Sequence, residues 1–126
     1  MITTVRSDEH RRVETRNATM TTLASPTLGP TAGLSMWQVE MAAGAIGPRH
    51  AFDSEQLWTV LEGELSVEVD NQCCELAPGD TIVLAEGVKR QISARTAVRL
   101  LVCGRGDAAA WVSGEDASRG TPPWIG

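Results

Sequence analysis

The chain has 126 residues, 42% of them hydrophobic, and a formal net charge of −5. That length suits one domain with a single modest core. The charge, with no local Lys/Arg cluster to offset it, argues against nucleic acid or an anionic membrane as partner. No apolar run approaches a membrane span and no hydrophobic signal core opens the chain, so a cytoplasmic protein is expected. Cys73, Cys74 and Cys103 are odd in number with two adjacent, a poor disulfide framework, and read as small apolar residues in a reducing compartment. On a strand Cys73 and Cys74 point to opposite faces and cannot grip one ion together.

Residues 1–17 are polar and charged (RSDEHRRVETR) without an apolar period, and read as an N-terminal arm, loose or briefly helical, carrying His10. Ala18–Ala24 reads as a short strand closed by the turn formers SPTLGPTAG. Leu34–Ala42 alternates, with Trp37, Val39 and Met41 on one face. Leu57–Leu61 is a second strand, ended by Gly63, and Leu65–Val69 a third with Leu65, Val67 and Val69 inward. Asp70-Asn71 signals a tight hairpin turn before the return strand Cys73–Leu76. Thr81–Leu84, Val88–Ser93 and Val98–Cys103 continue the series. Short strands with frequent turns and no convincing helix indicate an all-β sandwich or barrel over residues 18–106. Residues 107–126 read as a tail laid over it, with Trp111 and Trp124 as anchors, because apolar rings of that size rarely stay in water.

Two stretches stand out, GAIGPRHAFDSEQLWTVLEGE at Gly44–Glu64 and GDTIVLAEGVKR at Gly79–Arg90. They resemble the two motifs of the cupins, small antiparallel jelly-roll barrels. Gly44, His50 and Gly63 fall in register with the first motif, Gly79 and Gly87 with the second, and VLEGE and LAPGD are typical cupin wording. The resemblance covers roughly residues 36–104 and implies a cupin-type jelly-roll barrel with an N-terminal arm and a C-terminal tail. In a metal-binding cupin, two histidines and a glutamate of the first motif and a histidine of the second hold one divalent ion. Those positions read His50, Phe52, Gln56 and Arg90 here. Phenylalanine cannot coordinate, an amide offers only a neutral oxygen, and a guanidinium brings a fixed positive charge to the ion's place. No metal or other cofactor is therefore expected. A one-residue slip would bring Glu55 inward instead of Gln56, turning Leu57, Thr59 and Leu61 inward in place of Trp58 and Val60; register against Gly63 favours Gln56.

Cupin geometry further implies that His50, Phe52, Gln56, Trp58 and Arg90 line one cavity. A histidine that titrates near neutrality can move a proton while a guanidinium stabilises a developing oxyanion. The expected function is thus small-molecule binding, with metal-independent isomerase, cyclase or lyase chemistry on a carbonyl- or carboxylate-bearing, aromatic or polyketide-like metabolite. His50, Arg90 and Gln56 would be its catalytic groups, and Phe52, Trp58, Trp37 and Val60 its substrate-binding wall. Two alternatives stay open. One is a non-catalytic binder or sensor of a small acidic or aromatic ligand. The other is a cupin oxygenase with an atypical metal site built on His50 with Gln56 or Glu55. For each residue a purely structural role competes, such as Arg90 pairing with Glu86 or Glu55 at the barrel mouth. Leu57, Leu61, Ile82 and Leu101 read as outward apolar residues needing a cover, for which the resemblance suggests a homodimer; the arm and the tail are the other candidates.

Overall fold

The computed structural model describes residues 2–126. Among them a 3-10 turn at Ser7–Glu9 precedes eleven strands: β1 (Arg11–Glu14), β2 (Thr19–Ala24), β3 (Leu34–Met41), β4 (His50–Phe52), β5 (Gln56–Glu62), β6 (Leu65–Val69), β7 (Gln72–Leu76), β8 (Thr81–Leu84), β9 (Arg90–Ala94), β10 (Val98–Arg105) and β11 (Ala110–Val112). Every pairing is antiparallel, in a six-stranded sheet ordered β1-β2-β3-β10-β5-β8 and a five-stranded sheet ordered β11-β4-β9-β6-β7. The strands alternate as the expected jelly roll requires. Trp37, Val39 and Met41 from β3, Trp58 and Val60 from β5, and Leu100 and Val102 from β10 face Leu65 and Val67 of β6 and Ile92 of β9 across a shared core. None of the described helices is long and apolar enough to cross a membrane.

Two turns show how the sequence sets the register. Asp70 and Asn71 both take positive φ, 49° and 64°, the requirement of the two-residue turn whose twist matches a hairpin. Gly63, between β5 and β6, has φ 83°, and a Cβ there would lie 2.1 Å from the Ala97 carbonyl oxygen. Only glycine fits, both for its backbone angle and for the backbone packed against it.

Three expectations are corrected. The arm is not loose or helical over Arg11–Glu14, because its backbone pairs with β2 and forms the sheet edge. Ile82 does not face outward: opposite Trp58 it packs against the core, and its neighbour Val83 is the residue turned out, 60% exposed. Trp111 is no anchor, since β11 pairs with β4 through a register that leaves the residue 43% exposed. Trp124 does pack against the core, and the tail is further pinned by Ile125, which is fully buried, and by hydrogen bonds from Thr22 Oγ1 to the Trp124 carbonyl (2.6 Å) and from Ser25 Oγ to the Gly126 carbonyl (2.9 Å).

Candidate functional site

Between the sheets lies a cavity of about 500 Å³. Its walls are Trp37, Val39 and Met41 on β3, Trp58 on β5, His50 and Phe52 on β4, and Ile92 on β9. Two segments close it over: the β1–β2 turn at Thr15–Ala18, and the tail through Arg119, Thr121, Pro122, Pro123 and Trp124. A lining of this kind, mostly apolar with a few polar groups, is that of a small-molecule pocket.

His50 and Phe52 share one side of β4, and their rings meet edge to face at 5.4 Å. The His50 Nδ1 lies 2.9 Å from the Pro48 carbonyl oxygen. A carbonyl can only accept, so Nδ1 carries the proton and Nε2 keeps its lone pair. Burial holds the His50 pKa below its usual value; the Pro48 bond works against this, and the nearby Arg90 charge adds to the lowering. The neutral imidazole, with one free basic nitrogen, is therefore favoured.

Arg90 pairs with His50 across the β4–β9 ladder and points inward with Ile92. It is not the mouth residue paired with Glu86 or Glu55. Its side chain is fully buried, its Cζ lies over the Phe52 ring at 5.4 Å from the centroid, and none of its three guanidinium nitrogens has a hydrogen-bond partner. Desolvation lowers its pKa to about 10, which still leaves it cationic at neutral pH. Gln56 faces inward and is fully buried, while Glu55 is exposed, so β5 takes the register set by Gly63. Trp58 Nε1 donates to Gln56 Oε1 at 3.0 Å, which fixes the amide and leaves its Nε2 without a partner.

Of the residues expected to share one cavity, the structure places His50, Phe52, Trp58 and Trp37 on its wall. Gln56 and Arg90 lie behind that wall, without exposed surface, and Val60 is in the core beside it. The correction has a steric reason: aromatic side chains at positions 52 and 58 are long enough to cover the polar groups behind them. Sequence reasoning laid the tail over the barrel but missed the β1–β2 turn as a closing segment. Nothing in Thr15–Ala18 marks it, whereas the stiff Pro122-Pro123-Trp124 run was a usable signal.

The donor set at the four motif positions does not suit a divalent ion. One imidazole and one amide oxygen already engaged by Trp58 stand with a permanent cation, and among the described residues no group of three or more His, Cys, Asp or Glu is placed to hold a metal.

Fold and site together define a jelly-roll barrel with a cavity between its sheets. The cupin domain family model matches residues 37–104, more than half of the chain, and the chain belongs to the cupin family. No curated protein sequence matches it significantly. Among solved structures, the polyketide cyclase RemF from Streptomyces resistomycificus is similar with a TM-score of 0.78 at 17% identity, covering 92% of this chain and 88% of that one. An RmlC-like cupin from Shewanella frigidimarina is similar at 0.70 and 21%, covering 83% and 91%. Salicylate 1,2-dioxygenase from Pseudoaminobacter salicylatoxidans is similar at 0.72 and 17%, covering 83% of this chain but only 31% of its own. The chain thus spans about a third of that dioxygenase, and at these identities the likeness speaks for the fold alone.

Proposed function

We propose that this cupin binds a flat, largely apolar metabolite bearing a carbonyl or carboxylate, aromatic or polyketide-like in kind, and isomerises, cyclises or eliminates it without a metal. The observation that carries this reading is His50: a neutral-leaning imidazole on the wall of an aromatic cavity, its Nδ1 proton committed to Pro48 and its Nε2 free. Nε2 takes a proton from carbon next to the substrate carbonyl, and the positive charge of Arg90, held behind the Phe52 ring, favours the enolate that develops. Trp37, Trp58 and Phe52 hold the flat body of the ligand. The polyketide cyclase of similar fold supports the reading in kind, as does a sugar phosphate isomerase from Silicibacter pomeroyi.

The test is a panel of aromatic β-dicarbonyl compounds incubated in deuterated water and followed by mass spectrometry. Wild type should speed deuterium incorporation next to the carbonyl above the protein-free rate, and His50→Ala should return it to that background. Equal exchange by wild type, His50→Ala and Arg90→Ala sinks the mechanism. Tight binding with the ligand recovered unchanged would establish the second reading, a non-catalytic binder, which the scarcity of titratable groups on the cavity wall favours.

The protein is also proposed to be a homodimer. Met36, Cys103, Leu57 and Val83 are successive register partners across β3, β10, β5 and β8, an apolar row on the outer face with Met36 38%, Leu57 43% and Val83 60% exposed. A monomeric mass by light scattering would refute this.

A further inference from the structure

Behind the cavity's wall, two buried side chains carry donors with nothing to donate to, Arg90 behind Phe52 and Gln56 beside Trp58. Arg90 is fully buried and its Nε, Nη1 and Nη2 have no partner; Gln56 is equally buried, its oxygen filled by Trp58 and its Nε2 left over. These groups offer hydrogens and no acceptor. No carboxylate answers the charge: among the described residues the ion pairs are made by Arg12, Arg49, Arg95, Arg99, Arg105 and Arg119. A guanidinium cannot shed its proton, and a neutral water would fill a donor's bond without balancing the charge. An aromatic face 5.4 Å away compensates it only in part.

We propose that Arg90 and Gln56 form a subsite for one compact monoanionic group, either the carboxylate head of the ligand or a small free monoanion such as chloride or formate. Its single charge follows from the count of cations. One guanidinium is present, and the neighbouring imidazole, beside that cation and partly buried, is poorly placed to add a second charge. A dianion such as phosphate would leave one charge unbalanced beside the Phe52 ring. The route runs through the cavity, because Phe52 and His50 both line it and both adjoin Arg90. Movement of the Phe52 ring admits the anion. The inference deepens the function proposed above, resting on the same guanidinium, but it does not require turnover.

The test is thermal unfolding of the full chain at constant ionic strength, with sodium chloride or sodium formate replacing a bulky sulfonate salt. A specific site raises Tm along a saturating curve, reaching roughly 10 °C at a hundredfold excess over Kd. Arg90→Met removes the response, and Gln56→Leu shifts its midpoint about tenfold, the loss of one hydrogen bond. A 2-naphthoate arm separates the two sources. If the ligand's own carboxylate is the occupant, naphthoate stabilises, chloride competes with it, and Trp37→Ala weakens naphthoate without moving the chloride midpoint. If a free anion is the occupant, chloride or formate alone responds. A non-saturating effect of every anion, or a saturating one that persists in Arg90→Met, overturns the subsite. Should that variant fail to fold, a bromide-soaked wild-type crystal decides, by an anomalous peak within hydrogen-bond reach of the Arg90 guanidinium or its absence. Anion response lost with His50-dependent exchange intact sinks the subsite alone; exchange lost with the anion response intact sinks the catalytic reading alone.

Discussion

The cavity has an arginine at its mouth and another behind its floor, and the two could hardly be less alike. Arg119 lines the mouth in solvent, and Glu115 meets it with two bonds of 2.8 and 2.9 Å. Each raises or lowers the other's pKa in the sense that favours charge, yet an exposed pair of this kind contributes little to stability. Arg90 has no such partner and no water-accessible surface. Burying an unpaired charge costs several kcal/mol, in order of magnitude. The contrast is one of partners: Glu115 answers the charge of Arg119, whereas no group of the chain answers that of Arg90.

Substitutions can sharpen or break that contrast. The largest effect is expected at His50, between the two ends: His50→Ala should lower turnover about 10²- to 10⁴-fold, the contribution of a positioned base. Steady-state rates check this, and the wild-type rate should fall with pH only below the usual histidine value of 6.5, since burial lowers the His50 pKa. Trp37→Ala, which removes a fully packed wall, should cost about 3–5 kcal/mol by urea unfolding. Arg90→Met should go the other way, neutral or stabilising by about 1–4 kcal/mol when small anions are absent. Its destabilisation by a similar amount would break the comparison. A smaller effect concerns pH and stability. With its folded pKa lowered, His50 makes the unfolded state bind more protons as pH drops below 6.5, so stability should decline there and level off beneath the folded pKa. His50→Gln should flatten that slope in pH-dependent denaturation. Smallest of all, Glu115→Gln should leave the unfolding midpoint unchanged within error.

Much of the barrel was legible because it rests on local chemistry. The alternation of Trp37, Val39 and Met41, and of Leu65 and Val67, sets which face is buried, and Asp70-Asn71 announces its turn. Facing was illegible where alternation is missing. The apolar strand Thr81–Leu84 has no polar beat to orient it, and only pairing with β5 turns Ile82 in and Val83 out. The edge strand Arg11–Glu14 is held by its backbone, which side-chain pattern cannot reveal. Within the candidate site, His50, Phe52, Trp58 and Trp37 could be placed by motif spacing and strand period. That Phe52 would cover Arg90, rather than stand beside it, depends on ring packing that no spacing encodes.

The bond from Thr22 to the Trp124 carbonyl joins residues 102 apart in the chain. Contacts so distant in sequence form late, because the intervening chain must already be ordered before they gain anything. A barrel with both sheets in place but this bond unmade would be native by its strand content and still lack a roof. The capacity to hold a ligand should then appear after the bulk of the fold, and it should be the first property lost when the protein is warmed.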